Sequence, residues 1–294
     1  FKSMKNLKIF KNSRVIITGH TGFKGSWLTA WLKQLGAKVK GISLNPHTYP
    51  SHFVVSKINK GIKDIRLDIR EKAKLEKEIV RFEPNFVFHL AAQALVGFSY
   101  KNPTLTWQTN VFGTLNILES LKKLTKPCTV VIITSDKCYF NKEIHYGYKE
   151  TDTLGGKDPY SGSKASAELL IKSYISSFFN KKDLIRIATA RAGNVVGGGD
   201  WAKNRIIPAV KPNHILGTVR ICQFCQGFCL LGNQSRGLFK KKGDSCGNQV
   251  YNHIKNMVGR HQHHDPVWCA TFQQMINRIV NLVYLETICQ SFCF

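Results

Sequence analysis

Six short strand-like segments, most of them rich in apolar residues, at 14–18, 39–44, 62–67, 86–90, 129–134 and 185–190, divide the first two thirds of this chain. Hydrophobic residues recur at helical spacing between them, over 23–35, 71–82, 104–124 and 160–179. Runs that are apolar almost throughout, without polar alternation, suit parallel strands covered on both faces. Strands that take turns with helices predict a doubly wound α/β sheet. Ligands of such a sheet bind outside the carboxyl ends of its strands, so residues at those ends are the first candidates for function.

Composition bounds the rest. A chain of 294 residues with 43% hydrophobic content can bury a sizeable core. No apolar run approaches the roughly 18 residues that cross a bilayer. The opening FKSMKNLKIFKNS is basic but lacks the apolar core and small-residue cleavage site of a secretory signal. These features predict a soluble, cytoplasmic protein with no membrane partner. Phe1 in place of an initiator predicts a fragment or upstream remnants, with Met4 as a candidate start. The formal net charge is +25, yet the lysines are scattered (Lys72, Lys74, Lys77; Lys122, Lys123, Lys126), which argues for solvated faces rather than a nucleic-acid tract. An anionic small molecule, such as a nucleotide diphosphate, fits the charge. Nine cysteines, an odd number, without a secretory signal predict reduced thiols.

The first chemical motif is GHTGFKG, comprising Gly19, His20, Thr21, Gly22, Phe23, Lys24 and Gly25, between the first strand and the first helix. Glycines at this spacing permit a tight turn and close approach to a pyrophosphate, while the helix N-terminus offers free N–H groups. Lys24 and His20 add positive charge. The segment GISLNP after the second strand has no acid to bind ribose hydroxyls, so that position leaves NAD and NADP open. Asp68 and Ile69 follow the third strand, and Leu90, Ala91, Ala92 and Gln93 follow the fourth, where a dinucleotide lies.

The second motif is Tyr160-Ser-Gly-Ser-Lys164 at the start of a helix. Four residues apart, the two side chains share a face, and an ammonium nearby lowers a phenol's pKa so that it can act as a base. Upstream, VIITSDKCYF brings Ser135, Asp136 and Lys137 to the end of the fifth strand.

These segments, with HLAAQALVGFSY at 89–100, NVFGTLNILE at 110–119 and RAGNVVGGGDWAKNRIIP at 191–208, resemble the extended short-chain dehydrogenase/reductase family and, within it, the CDP-glucose 4,6-dehydratases. The resemblance spans about residues 14–208. It implies a Rossmann-type NAD-binding domain over 1–190, a smaller substrate-binding region over 191–294, and conversion of CDP-glucose to its 4-keto-6-deoxy product, a step of deoxysugar and O-antigen biosynthesis. NAD is the implied cofactor, contacted also by Asn110, Tyr160 and Lys164. Tyr160, aided by Lys164 and Ser135, would take the 4-hydroxyl proton. Asp136 would protonate the departing 6-hydroxyl. Lys137 would take the C5 proton, which requires its pKa to be lowered by desolvation or by Lys164. Ser99, Tyr100, Asn194 and Arg205 are the implied substrate contacts. Lys137 stands where dehydratases of dTDP- or GDP-sugars carry an acid. A homo-oligomer is compatible with the family.

Two departures stand out. Ala94, Leu95, Val96 and Gly97 replace the Pro-Leu-Val-Arg that usually follows HLAAQ. From Ala209 onward nothing matches the family's substrate domain, and the tail looks truncated or aberrant, with weak periodicity beyond an amphipathic stretch at 272–285. A tail of this kind leaves a second reading open: a catalytically impaired NAD-binding or nucleic-acid-associated protein. Cys222, Cys225 and Cys229 with His261, His263 and His264 carry zinc-type donors, but one CxxC without a second pair is a weak signal, and no metal site is assigned.

Overall fold

A computed structural model of the chain describes residues 7–143, 147–179, 184–195 and 197–202. The elements run β1 (Arg14–Thr18), α1 (Phe23–Gln34), β2 (Lys38–Ser43), α2 (His52–Val55), β3 (Lys63–Arg66), α3 (Lys72–Phe82), β4 (Phe86–His89), α4 (Val96–Lys101), α5 (Pro103–Trp107), α6 (Gly113–Leu121), β5 (Cys128–Ile133), α7 (Pro159–Tyr174) and β6 (Ile185–Ala190). Six strands pair in parallel in the order β3-β2-β1-β4-β5-β6. This is the doubly wound Rossmann sheet expected, with its topological switch between β1 and β4.

The strand pattern explains the apolar runs. Along β1, Val15 and Ile17 point into one core with Leu28, Leu32, Phe86 and Phe88. Ile16 points into the other, with Leu75, Ile79, Ile117 and Val87. Successive side chains alternate faces, and both faces are covered by helices, so Val15, Ile16 and Ile17 are apolar in succession.

The single helix expected over 104–124 is α5, a π turn over Gln108–Phe112, and α6. A π turn carries one extra residue, and here it brings Asn110 inside. A second π turn, Ile175–Phe179, ends α7. Helices α2 and α4 were not legible, because four and six residues are too short to show a period. The tail from 203 onward, with its cysteines and the stretch at 272–285, lies outside the described residues, and so does the extent of any second domain.

Candidate active site

The Gly-rich turn fits a dinucleotide. Gly19 has φ +75° and its backbone lies against the β4 exit; a Cβ there would sit 2.7 Å from the Ala91 nitrogen. A Cβ on Gly25 would sit 2.0 Å from the Gly19 carbonyl oxygen. Both positions therefore demand glycine, and α1 begins on Gly22 with no side-chain cap and no acid in its first turn. An uncapped helix start aimed from a glycine cradle suits a phosphate pair. Thr21 hydrogen bonds Ser43 at 2.8 Å and donates to the Leu44 carbonyl at 3.0 Å, tying the turn to β2. His20 is buried and contacts Asp64 at 2.8 Å; burial lowers its pKa despite that acid. Phe23 packs toward Gly197 of the loop after β6. Asp68 receives two hydrogen bonds from the Arg70 guanidinium, which lower its pKa, so its carboxylate is already engaged.

The far wall is organised by Asn110. Its Oδ1 accepts from the Gln93 N–H at 2.8 Å, and its Nδ2 donates to the Gln93 carbonyl at 3.1 Å and to Ser163 Oγ at 2.9 Å. Ser163 lies between Tyr160 and Lys164, so one carboxamide fixes the β4 exit to the first turn of α7. That helix starts cleanly, with Asp158 accepting from the Ser161 N–H at 3.0 Å and Pro159 at its first position. Leu90, Ala91 and Ala92 are half-buried along the same exit, and Ile69 is buried against Gly113 of α6.

Tyr160 and Lys164 are both buried on α7, at 8% and 7% exposure. Burial pulls the Lys164 ammonium down to about 8, Lys24 adds to the fall, and Glu168 and Cys138 oppose it. At neutral pH this amine is charged and close to its titration point. The turn after β5 packs against α7. Ser135 is buried and caps a 3-10 turn over Asp136–Cys138, accepting from the Lys137 N–H at 3.2 Å and donating to Asp136 Oδ1 at 3.0 Å. Asp136 and Lys137 are exposed. The expected desolvation therefore falls on Lys164, whereas Lys137 faces outward, and the cation acting on Lys164 is Lys24.

The proposed substrate contacts are dispersed. Ser99 is fully buried and donates to the Val96 carbonyl at 2.7 Å, while Tyr100 is 65% exposed on α4. Asn194 is exposed just after β6, and Arg205 lies outside the described residues. Sequence reasoning missed two buried networks, Thr18–His89–Thr114 and Glu168–Arg191–Tyr139. The second had a faint signal, since Glu168 lies one helical turn beyond Lys164.

Comparison with known proteins agrees with this architecture. The profile of the family described as GDP-mannose 4,6 dehydratase matches residues 16–190. The chain is 47% identical over 211 residues to a CDP-glucose 4,6-dehydratase of Salmonella typhimurium, covering 70% of this chain and 59% of that protein. It is 30% identical to a dTDP-D-glucose 4,6-dehydratase of Dictyostelium discoideum, covering 66% of this chain and 46% of that one. The chain thus spans about half to three fifths of the length of these curated relatives. Among solved structures, the UDP-glucose 4-epimerase of Thermus thermophilus in complex with NAD superposes with TM-score 0.54 at 28% identity, over 63% of this chain and 56% of that one. An epimerase of Methanothermobacter thermautotrophicus superposes with TM-score 0.61 at 24% identity, over 70% and 60%, and shares the fold. With a family profile matched along more than half its length, the protein belongs to the GDP-mannose 4,6 dehydratase family of the extended short-chain dehydrogenase/reductases.

Proposed function

We propose that the chain is a sugar-nucleotide 4,6-dehydratase acting on CDP-glucose with bound NAD. The observation that carries this reading is the buried Tyr160 and Lys164 on α7, against which the Ser135-Asp136-Lys137 turn is packed. The 47% identity to a CDP-glucose 4,6-dehydratase supports the nucleotide, and Lys137 in the place of an acid is in keeping with it.

Gly19, Gly22, Gly25, Ala91 and the first turn of α1 would hold the dinucleotide, with Lys164 and Tyr160 beside its reactive end. When bound, it supplies the hydride acceptor and donor that the sugar needs at C4 and C6. Tyr160, as phenolate next to the Lys164 ammonium, accepts the proton of the C4 hydroxyl. Ser135, on turning its hydroxyl away from Asp136 Oδ1, donates a hydrogen bond to the same oxygen. The C4 ketone acidifies C5, and Lys137 accepts that proton. Asp136 gives a proton to the C6 hydroxyl, which departs as water. C5 regains a proton as C6 is reduced, so the sum is loss of one water, with C4 oxidised and C6 reduced. Asp136 and Lys137 are both exposed and so can be reached by a sugar that arrives from outside.

The alternative of an impaired binding protein is less well supported, because all five residues of this chemistry are present and lie on two elements in contact. No helix among the described residues is long and apolar enough to cross a membrane. A cytoplasmic location and a place in deoxysugar assembly, such as that of O-antigen, go with this reading. Incubation with CDP-glucose and NAD, followed by mass spectrometry, should give a product lighter by one water; an unchanged sugar nucleotide would refute the proposal.

A further inference from the structure

Behind the residues assigned to chemistry lies a second polar cluster, in which Arg191 Nε alone is buried without a hydrogen-bond partner among the described residues. Glu168 on α7 is 4% exposed, and both of its carboxylate oxygens are engaged. Oε1 accepts from the Thr134 hydroxyl at the end of β5. Oε2 accepts from the Thr189 hydroxyl of β6 at 3.2 Å and from Arg191 Nη2 at 3.0 Å. Arg191 continues the chain: its Nη1 donates to the Tyr139 hydroxyl at 2.9 Å and to the Glu150 carbonyl at 3.1 Å, and its guanidinium carbon stands 4.8 Å from the Tyr139 ring centroid. Tyr139 is the residue that closes the Asp136–Cys138 turn.

An ion pair this buried is a poor source of cohesion, because desolvating both charges offsets most of their attraction and an apolar pair of similar size holds as well. What it provides is direction: a guanidinium fork and a two-oxygen carboxylate accept few geometries. The elements it joins are the helix carrying Tyr160 and Lys164 and the turn carrying Asp136 and Lys137. We propose that Glu168 and Arg191 are positioning residues that hold the acid-bearing turn in register with the Tyr160–Lys164 helix, so that oxidation at C4 and water loss at C6 occur on one bound sugar. The proposal rests on the dehydratase reading above.

Two variants and two readouts test it. Arg191→Lys keeps the charge but loses the fork; Tyr139→Phe removes only the hydroxyl and leaves the buried pair intact, so it folds even where the first does not. The first readout needs no substrate: alkylation of Cys138 in the turn against Cys128, buried at the start of β5, resolved by peptide mass spectrometry on the full chain. Burial raises these thiols to about 11 and about 12, so both react slowly in the wild type. A freed turn should raise Cys138 labelling about tenfold, the equilibrium worth of one charge-assisted hydrogen bond, with Cys128 unchanged. The second readout is the reaction with CDP-glucose and NAD, where the variants should still form reduced nicotinamide, seen by its absorbance, while water loss slows about tenfold or more. If both phases slow by the same factor and Cys138 labelling matches wild type in Tyr139→Phe, the pair is structural only and the proposal falls. A wild-type chain that reduces no nicotinamide with CDP-glucose overturns the dehydratase reading itself, a result distinct from equal slowing in the variants.

Discussion

The Thr18 hydroxyl and His89 Nδ1 meet at 2.6 Å where β1 and β4 end side by side. The direction of this bond is fixed by its neighbours. Thr114 Oγ1 donates to the Asn110 carbonyl at 2.8 Å, so it accepts from His89 Nε2, at 3.1 Å. Thr18 Oγ1 accepts from the Ala91 N–H at 3.2 Å and passes its own proton to Nδ1. The chain of donors needs a neutral ring, and burial, aided by the Lys164 charge, holds the His89 pKa down to about 3.

Acid should therefore loosen the switch point of the sheet. The unfolded chain binds a proton at this histidine below about 6.5, whereas the fold refuses it until about 3. Stability from this group is complete above about 6.5 and is lost as pH falls, at a limiting slope of about 1.4 kcal/mol per pH unit. His20 and His52, both lowered by burial, act in the same direction. Urea midpoints between pH 7 and 4 should fall more steeply for wild type than for His89→Asn; equal slopes would rule the network out as the cause.

Alkali should separate activity from stability at Lys164. Its folded pKa of about 8 lies below the ordinary 10.5, so between those values the unfolded chain binds the extra proton and the group's contribution to stability rises with pH. Loss of the Lys164 ammonium removes the help proposed for it to the Tyr160 phenolate over the same range. The rate of sugar oxidation should decline above pH about 8 while the melting temperature does not follow it down, and a rate still climbing at pH 9.5 would contradict this.

Much of this was written in the chain, and the exceptions have physical reasons. The bounds of β1 and β6 coincide with the expected runs; β1, central and buried, carries Val15, Ile16 and Ile17 in succession, whereas β6, at the edge of the described sheet, admits Arg186 and Thr189. Tyr160, Lys164 and Ser135 stood at strand and helix ends, and the structure brings those ends together. The π turn at Asn110 was invisible, since one added residue leaves hydrophobic spacing almost unchanged. The pairing of Glu168 with Arg191 was hidden too, beyond the faint hint of Glu168 one turn after Lys164: a contact across 23 positions is set by the sheet.

Glycines in the cradle should divide by what lies opposite them. At Gly25 an added methyl meets backbone, so Gly25→Ala should destabilise the fold by about 3 kcal/mol and abolish dinucleotide binding. Gly97, within α4, faces open space, and Gly97→Ala should raise stability by about 0.5–1 kcal/mol. Thermal melting and nucleotide titration of both variants would expose any reversal of this order.

Lys137 is assigned to C5 on its position alone, and isotope exchange isolates that step. In deuterated water with CDP-glucose and NAD, Lys137→Ala should still reduce nicotinamide but incorporate deuterium at C5 about a hundredfold more slowly, the usual weight of a positioned general base. Undiminished exchange would assign the proton to another group.

The π turn over Gln108–Phe112 makes this part of the protein sensitive to length before it is sensitive to identity. Deleting one codon there would remove the residue that the turn absorbs, so the helix on either side would keep its phase while the bulge that carries Asn110 inward would close. Asn110 would swing out of the interior, and the β4 exit and the first turn of α7 would lose their shared anchor at a stroke. A substitution in this stretch alters one contact, whereas a lost codon removes the bulge itself, so gene surveys of this family should find residues exchanged here far more often than counted differently.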